Sequence, residues 1–151
     1  LRVGMASAKG LCYALGIPLI NINSLEIMAA AMAPTCEKGS LLCPMIDARR
    51  MEVFTALFTP ELEPFLDTTA MILDEHSFAV YLENHIINFS GSGAAKWQPL
   101  CKHPNARFLP AENDPYYMIQ LSEKRFLAKK FSQLVDSEPY YGKEFYSTKT
   151  L

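Results

Sequence analysis

The sequence lacks several features that would assign it to a class at once. It has no run of about five like charges, and 14 Lys and Arg against 16 Asp and Glu give a formal net charge of −2. Nucleic-acid binding needs a basic face that neutralises phosphates, so charge gives no argument for nucleic acid as a direct ligand. No apolar run approaches the roughly 20 residues that cross a bilayer, and the sequence therefore predicts no membrane-spanning helix.

Cysteine and histidine are few and are not arranged as metal ligands or catalytic groups. The four cysteines show no C-x-x-C spacing and the sequence shows no secretory signal, which favours buried free thiols in a reducing cytoplasm. A zinc site can be written only from residues whose spacing matches no tight ligand pattern: Cys36, Cys43, Cys101 and His103. The three histidines lack H-x-x-x-H spacing, and no serine lies in a G-x-S-x-G motif. The residues alone therefore predict no catalytic centre, no metal and no cofactor.

What is present is enough apolar sequence for a core. Half of the 151 residues are hydrophobic and 20% are charged, which is typical of a globular chain and excludes the disordered and disulfide-scaffold classes. At this length we expect one domain, or one domain with part of a neighbour.

Residues 1–15 carry only two charges, Arg2 and Lys9, and predict a helix that is apolar nearly all round. Small residues and a leucine at i, i+3, i+4 and i+7 form a flat stripe that lets another backbone approach: Gly4, Ser7, Ala8 and Leu11. The other side carries Val3, Met5, Cys12 and Tyr13. Such a helix needs cover on both sides, so we expect one face on its own sheet and the other on a partner subunit or on a missing upstream segment. A central core helix is the alternative.

The segments that follow alternate between strand and helix patterns, which indicates an α/β fold. Gly16 and Pro18 end the first helix, and residues 19–23 alternate as a short strand. Ser24 is the predicted N-cap of a helix over residues 25–32.

A β-hairpin is predicted next. Residues 41–46 and 51–58 have strand character and are joined by a short charged turn. Two prolines then break the chain, and Asp74 is the predicted N-cap of a helix over residues 75–83.

The last third predicts two short strands and the longest helix. Residues 86–89 form an apolar strand that leads into a glycine turn and a helix containing Trp97, and residues 107–109 form a further strand. Asp114 before a proline is a strong helix start, and we expect this helix to run to about residue 135. Its predicted core stripe is Tyr117, Leu121, Ala128, Phe131 and Val135.

Two groups of residues are candidates for binding. Four charges cluster at the hairpin turn: Asp47, Arg49, Arg50 and Glu52. Arginine forks suit bidentate pairing with carboxylate or phosphate, whereas a solvated turn with internal Arg–Glu pairing explains the cluster equally well. The glycine turn consists of Gly91, Ser92 and Gly93. Its N–H groups could bind phosphate, but it lacks the third glycine of a dinucleotide motif and the lysine of a P-loop, so a tight turn is favoured.

Four stretches resemble the TsaB (YeaZ) family of bacterial tRNA threonylcarbamoyladenosine synthesis, once labelled M22-type glycoproteases. They are residues 1–11, 16–19, 24–26 and 47–54. The likeness is moderate at residues 91–94 and 114–134. Residues 138–143 resemble the family's closing proline-tyrosine segment but depart from its usual sequence. In the family a Gly-Pro-Gly-Ser-Phe-Thr-Gly turn and a first strand precede the opening helix, so the resemblance implies a truncated first lobe.

The resemblance implies an actin-like, ribonuclease-H-like (ASKHA) α/β fold of two lobes. On this basis residues 1–40 are the remnant of the first lobe and residues 41–114 are the second lobe. Residues 115–151 are expected to be a long helix and a tail that pack back on the lobes.

The resemblance also implies a noncatalytic scaffold subunit that pairs with a TsaD-like transferase and a TsaE-like ATPase. It further implies a homodimer in isolation and only indirect contact with tRNA. The expected interface residues are Arg2, Gly4, Met5, Ser7, Ala8, Leu11 and Cys12. Gly4→Leu or Ala8→Glu is expected to abolish pairing while the second lobe stays folded.

Two enzymatic alternatives remain open at this point. A glycoprotease-like metallopeptidase would use Asp47 and Glu52 as acid and base, although the histidine pair that binds metal in the catalytic paralogue is absent. A nucleotide-binding ATPase lobe would use the glycine turn at residues 91–94.

Overall fold

The computed structural model describes residues 1–110 and 114–140, so the end of the predicted tail beyond residue 140 lies outside the described residues. The helices are α1 (Arg2–Leu15), α2 (Ser24–Met32), α3 (Ala79–Leu82), α4 (Ala94–Trp97) and α5 (Pro115–Leu127), with a 3-10 turn at Ala33–Thr35. The strands are β1 (Leu41–Asp47), β2 (Glu52–Phe58), β3 (Pro64–Ile72), β4 (Ile87–Ser90) and β5 (Ala106–Phe108). Within these ranges no helix has the length and apolar character to cross a membrane.

The five strands form one mixed sheet with the order β3-β2-β1-β4-β5. β2 pairs antiparallel with β1 and β3, which confirms the predicted hairpin, while β4 runs parallel to β1 and β5. Successive residues of β1 point to opposite faces, so Cys43 and Met45 belong to one core cluster and Leu42 to the other. Helices α3 and α4 cover the first face and α2 covers the second.

An aromatic cluster fills the first face. Trp97 of α4 is fully buried, and the rings of Phe78, Phe89 and Phe108 lie with their centroids 4.9–5.9 Å from the Trp97 ring. The indole N–H donates to the Asp74 carbonyl at 2.8 Å, so the one polar group of this side chain is satisfied. This cluster anchors α4 and the glycine turn before it.

Helix α2 covers the second face. Its buried contacts join Leu25, Ala29 and Met32 to Leu42, Ala56 and Phe58 of the hairpin strands. The N-cap is Asn23 rather than the predicted Ser24, because the Asn23 side chain accepts a hydrogen bond from the Leu25 N–H at 2.9 Å. The predicted strand at residues 19–23 is wrong, since this stretch forms only an isolated bridge between Leu19 and Ser132.

Strand β3 is not predicted, because Pro60 and Pro64 indicate a break in the chain rather than a strand. Pro64 is the first residue of this strand, and the strand lies at the edge of the sheet. A proline is tolerated there because a missing N–H at the start of an edge strand removes no central hydrogen bond.

The predicted helix over residues 75–83 is mostly wrong, since α3 is only four residues long. Asp74 Oδ1 accepts hydrogen bonds from the His76 N–H at 2.9 Å and the Ser77 hydroxyl at 3.0 Å. These bonds make a local turn where the prediction has the first helical residues, because short polar side chains compete with the helix for backbone groups.

Helix α5 begins as predicted and ends early, so the prediction that it is the longest helix is wrong: it has 13 residues and α1 has 14. The Asp114 carboxylate accepts from the Tyr116 N–H at 2.9 Å. The helix stops at Leu127 because Lys129 adopts a positive φ of 54°, which turns the chain away. The prediction of a buried stripe reaching Val135 is therefore wrong: of its residues only Leu121 is buried, and Val135 is 86% exposed.

Candidate functional site

Helix α1 lies on the outside of the described structure, with apolar side chains exposed. Cys12 is its only buried residue, whereas Val3 is 80% exposed and Tyr13 is 83% exposed. Neither core cluster of the described residues includes a residue of α1. The predictions that one face packs on the chain's own sheet, or that this is a central core helix, are therefore wrong. Helix α1 instead exposes an apolar surface.

The side of α1 that faces the rest of the chain differs from the side that the sequence suggests. Met5, Ala8 and Lys9 are half-buried and Cys12 is buried, which is an i, i+3, i+4, i+7 stripe. The Lys9 ammonium donates at 3.3 and 3.0 Å to two carbonyl groups of the segment after α5. The predicted interface residues that are exposed are Arg2, Gly4, Ser7 and Leu11.

The hairpin turn between β1 and β2 has an unusual backbone. Arg49 and Arg50 have positive φ angles of 71° and 50°. This left-handed conformation is disfavoured for residues that carry a Cβ, and turns of this kind normally use glycine or asparagine. Asp47 Oδ1 accepts from the Arg49 N–H at 2.6 Å, which ties the turn to the end of β1.

Lys96 of α4 holds the same turn from the adjacent segment. Its ammonium donates to Asp47 Oδ1 at 2.6 Å, to the Arg50 carbonyl at 2.8 Å and to the Glu52 carbonyl at 2.7 Å. The hydrogen bond from Lys96 and then that from the Arg49 N–H hold the pKa of the Asp47 carboxyl below its ordinary value. Lys96 is not among the predicted site residues, because its only signal in the sequence is a single cation three residues after the glycine turn.

The glycine turn packs too closely against the sheet to bind a ligand through all its N–H groups. A Cβ on Gly91, whose φ is 102°, would lie 2.3 Å from the Met45 carbonyl oxygen. The Gly93 N–H donates to that same carbonyl at 3.0 Å, and the Ser92 hydroxyl accepts from the Asp47 N–H at 3.0 Å. The geometry favours the tight-turn interpretation over a phosphate site.

These contacts bring the two polar candidates of the sequence analysis together. Asp47 joins the hairpin to Ser92 through its N–H and to Lys96 through its carboxylate. Because that carboxylate is bound by an ammonium and has a lowered pKa, it is poorly suited to act as a general acid.

The described residues contain no group of three or more metal-binding side chains. All four cysteines are free, but the prediction that they are buried is wrong for Cys36 and Cys101, which are half-buried. Burial raises the pKa of Cys43 to about 12, which keeps its thiol protonated and poorly nucleophilic at neutral pH.

A cleft of about 560 Å³ between α2, the β2–β3 turn and the end of α5 is not predicted by the sequence analysis. Its lining includes Glu61 and Glu63 on the turn, Lys124 of α5 and Lys130 in the segment after that helix. Small-molecule sites are mostly apolar with a few placed polar groups, and this cleft is mostly charged. Its chemistry therefore does not identify a ligand.

The sequence is similar to a family profile and to a curated protein. A family profile described as "TsaD: tRNA N6-adenosine threonylcarbamoyltransferase" matches residues 1–102. The tRNA threonylcarbamoyladenosine biosynthesis protein TsaB of Bacillus subtilis (strain 168) is 38% identical over 58 residues, which cover 38% of this chain. The match spans 24% of the length of that curated relative.

Solved structures share the fold. YeaZ from Pseudomonas aeruginosa matches with a TM-score of 0.68 and 18% identity, over 93% of this chain and 67% of that one. A second Pseudomonas aeruginosa structure is described as an uncharacterized protein with similarity to peptidase YEAZ. It matches with a TM-score of 0.67 and 18% identity, over 94% of this chain and 67% of that one. The predicted actin-like, ribonuclease-H-like fold class and the resemblance to TsaB and YeaZ are confirmed.

Proposed function

The chain belongs to the family described as TsaD, tRNA N6-adenosine threonylcarbamoyltransferase, and from this premise we propose that it is a noncatalytic interaction subunit in tRNA threonylcarbamoyladenosine biosynthesis. The likeness to TsaB over 58 residues supports this pathway. The cytoplasm is the proposed location because tRNA modification takes place where tRNA is used. The partners in this proposal are a TsaD-like transferase and a TsaE-like ATPase, with a homodimer in isolation and only indirect contact with tRNA.

The exposed apolar side of α1 is the observation that carries the proposal. Val3, Leu11 and Leu15 of this helix are 80%, 61% and 66% exposed. Contiguous exposed apolar side chains mark protein–protein contact surfaces in soluble proteins. Docking this helix on a partner would be one part of a specific interface, which typically buries roughly 1,200–2,000 Å² in total.

The polar candidates support a noncatalytic role. Asp47, which a peptidase would use as acid or base, forms an ion pair with Lys96 at 2.6 Å. Two polar groups of the glycine turn, which an ATPase would need for phosphate, are already bonded to β1. Both features stabilise the fold, and neither presents a reactive group to a substrate.

The test of this proposal places a charge on the exposed side of α1. Leu11→Asp is expected to weaken binding to the purified TsaD-like subunit at least tenfold, because it buries an unpaired carboxylate in an apolar interface. Isothermal titration calorimetry measures the affinity, and circular dichroism confirms that the variant is folded. Gly4→Leu is a second variant at the same surface, where a Cβ meets no atom within 4 Å.

Val80→Asp is the matched control, since Val80 is 74% exposed on α3, away from α1 in sequence. It introduces the same charge in place of an exposed apolar residue. We expect it to bind like the wild type. Wild-type affinity in both α1 variants would refute the proposed interface, and absence of binding by the wild-type chain would refute the pairing itself.

A further inference from the structure

The backbone at Arg49 and Arg50 is strained although the turn could be built without strain. Both residues have left-handed φ angles, 71° and 50°, in a hairpin turn that glycine or asparagine would accommodate more easily. Strain of this kind persists only where the surrounding structure enforces it, and it clusters at functional positions. The turn is therefore a candidate binding element.

The surrounding structure does enforce the conformation. The Lys96 ammonium binds the Arg50 and Glu52 carbonyls at 2.8 and 2.7 Å, and Asp47 Oδ1 binds the Arg49 N–H at 2.6 Å. Lys96 is only 18% exposed, so it acts from behind the turn. The turn is thus held rigidly from the side of the sheet, and such preorganisation lowers the cost of binding.

The guanidinium groups are left available by this arrangement. Both arginines are exposed, and among the described residues neither side chain makes an ion pair. The Asp47 carboxylate, two residues before Arg49, is bound by Lys96 instead. Elsewhere Arg107 and Arg125 are each paired with a glutamate. The hairpin therefore presents two adjacent forks that suit planar oxyanions.

We propose that Arg49 and Arg50 form a docking point for carboxylates of an acidic segment on the partner subunit, which rests on the proposed function. Carboxylates fit better than nucleic-acid phosphates because two cations on a chain of net charge −2 do not make the extended basic face that a phosphate backbone needs. Arginine is enriched at the centres of protein interfaces, and charges of this kind accelerate association.

The experiment measures association and dissociation rates of the full chain with the purified TsaD-like subunit at several salt concentrations. The double variant Arg49→Ala/Arg50→Ala is expected to associate about tenfold more slowly at low salt, with a weaker salt dependence. Arg49→Lys/Arg50→Lys keeps the charge and loses the fork, so it is expected to keep the salt dependence and to dissociate faster. Lys38→Ala/Lys102→Ala removes two exposed charges elsewhere and is expected to match the wild type.

The possible outcomes separate this inference from the proposed function. Binding by the wild type together with unchanged rates in the arginine-to-alanine variant would overturn the docking point alone. No binding by the wild type would overturn the proposed pairing, and the docking point with it. If the same variant lost binding to purified tRNA and kept unchanged rates with the protein partner, the ligand of the two arginines would be a phosphate and not a carboxylate. Thermal denaturation of each variant shows whether the turn has stayed folded.

Discussion

Helix α1 and the sheet core are both rich in apolar residues, yet the chain treats them differently. Trp97, Phe89 and Met45 in the core are 0% exposed, whereas Val3 on α1 is 80% exposed. The glycines show the same contrast. A Cβ on Gly93 would lie 2.6 Å from a Val53 methyl carbon, and a Cβ on Gly4 would meet no atom within 4 Å.

The difference separates residues that hold this fold together from residues that its own packing does not constrain. In the sheet, the size of each side chain is set by close-packed neighbours. On the outer side of α1 no such neighbour exists among the described residues. Substitutions in the two regions should therefore act on different quantities, stability in the sheet and association on α1.

The sharpest test of this contrast compares two aromatic residues. Trp97→Ala is expected to lower the free energy of unfolding by about 3–5 kcal/mol, because it leaves a cavity among three other rings. Tyr13→Ala on α1, at a residue that is 83% exposed, is expected to change it by less than about 0.5 kcal/mol. Urea denaturation followed by fluorescence or circular dichroism measures both. Equal losses would mean that α1 is part of the cooperative core.

Glycine substitutions give a second comparison, with opposite signs. Gly93→Ala is expected to cost about 1–3 kcal/mol, because its Cβ would overlap the Val53 and Met45 side chains. Gly4→Ala, in an open helical position, is expected to stabilise by up to about 1 kcal/mol through helix propensity. The midpoint of thermal unfolding reports both changes. A destabilising Gly4→Ala would contradict the open surface described for α1.

Lys96→Met tests the network at the hairpin turn. At neutral pH it is expected to cost about 1–2 kcal/mol, because the Arg50 and Glu52 carbonyls lose their donor. The lowered pKa of Asp47 means that the carboxylate contributes stability above the ordinary aspartate range and loses it as pH falls through the lowered pKa. The difference in the free energy of unfolding between the wild type and the variant should therefore become smaller as the pH is lowered. If urea denaturation gave the same difference in the free energy of unfolding at every pH, the Asp47–Lys96 ion pair would make no contribution to stability.

Parts of the fold were predictable because they depend on neighbours in sequence. Gly16 ends α1 with a left-handed φ of 64°, and Asp114 and Pro115 start α5, as their positions indicate. The hairpin strands follow from alternation around a charged turn. The start of α3 was not predictable in the same way, since Asp74 caps either a helix or a local turn and the sequence pattern is the same for both.

The candidate site was only half visible in the sequence. Asp47 and Ser92 stand in two separate candidates, and their hydrogen bond links positions 45 residues apart. Lys96 carries no motif, and its role depends on a contact with Asp47 across 49 residues. The proposed interface residues on α1 stay a prediction, although Met5, Ala8 and Cys12 belong to the side that faces the chain.

The sequence by itself determined the α/β class, the hairpin and the glycine turn. It also determined an opening helix that has too few charged residues to be exposed to solvent on all sides. These features depend on backbone preferences and periodicity within a few residues. Only the tertiary structure decided which side of α1 faces the chain and where α5 ends. It also decided that Lys96 is hydrogen-bonded to the hairpin turn at Arg49 and Arg50. Those outcomes depend on which distant segments meet, and burial and long-range hydrogen bonds are properties of the folded chain rather than of any single segment.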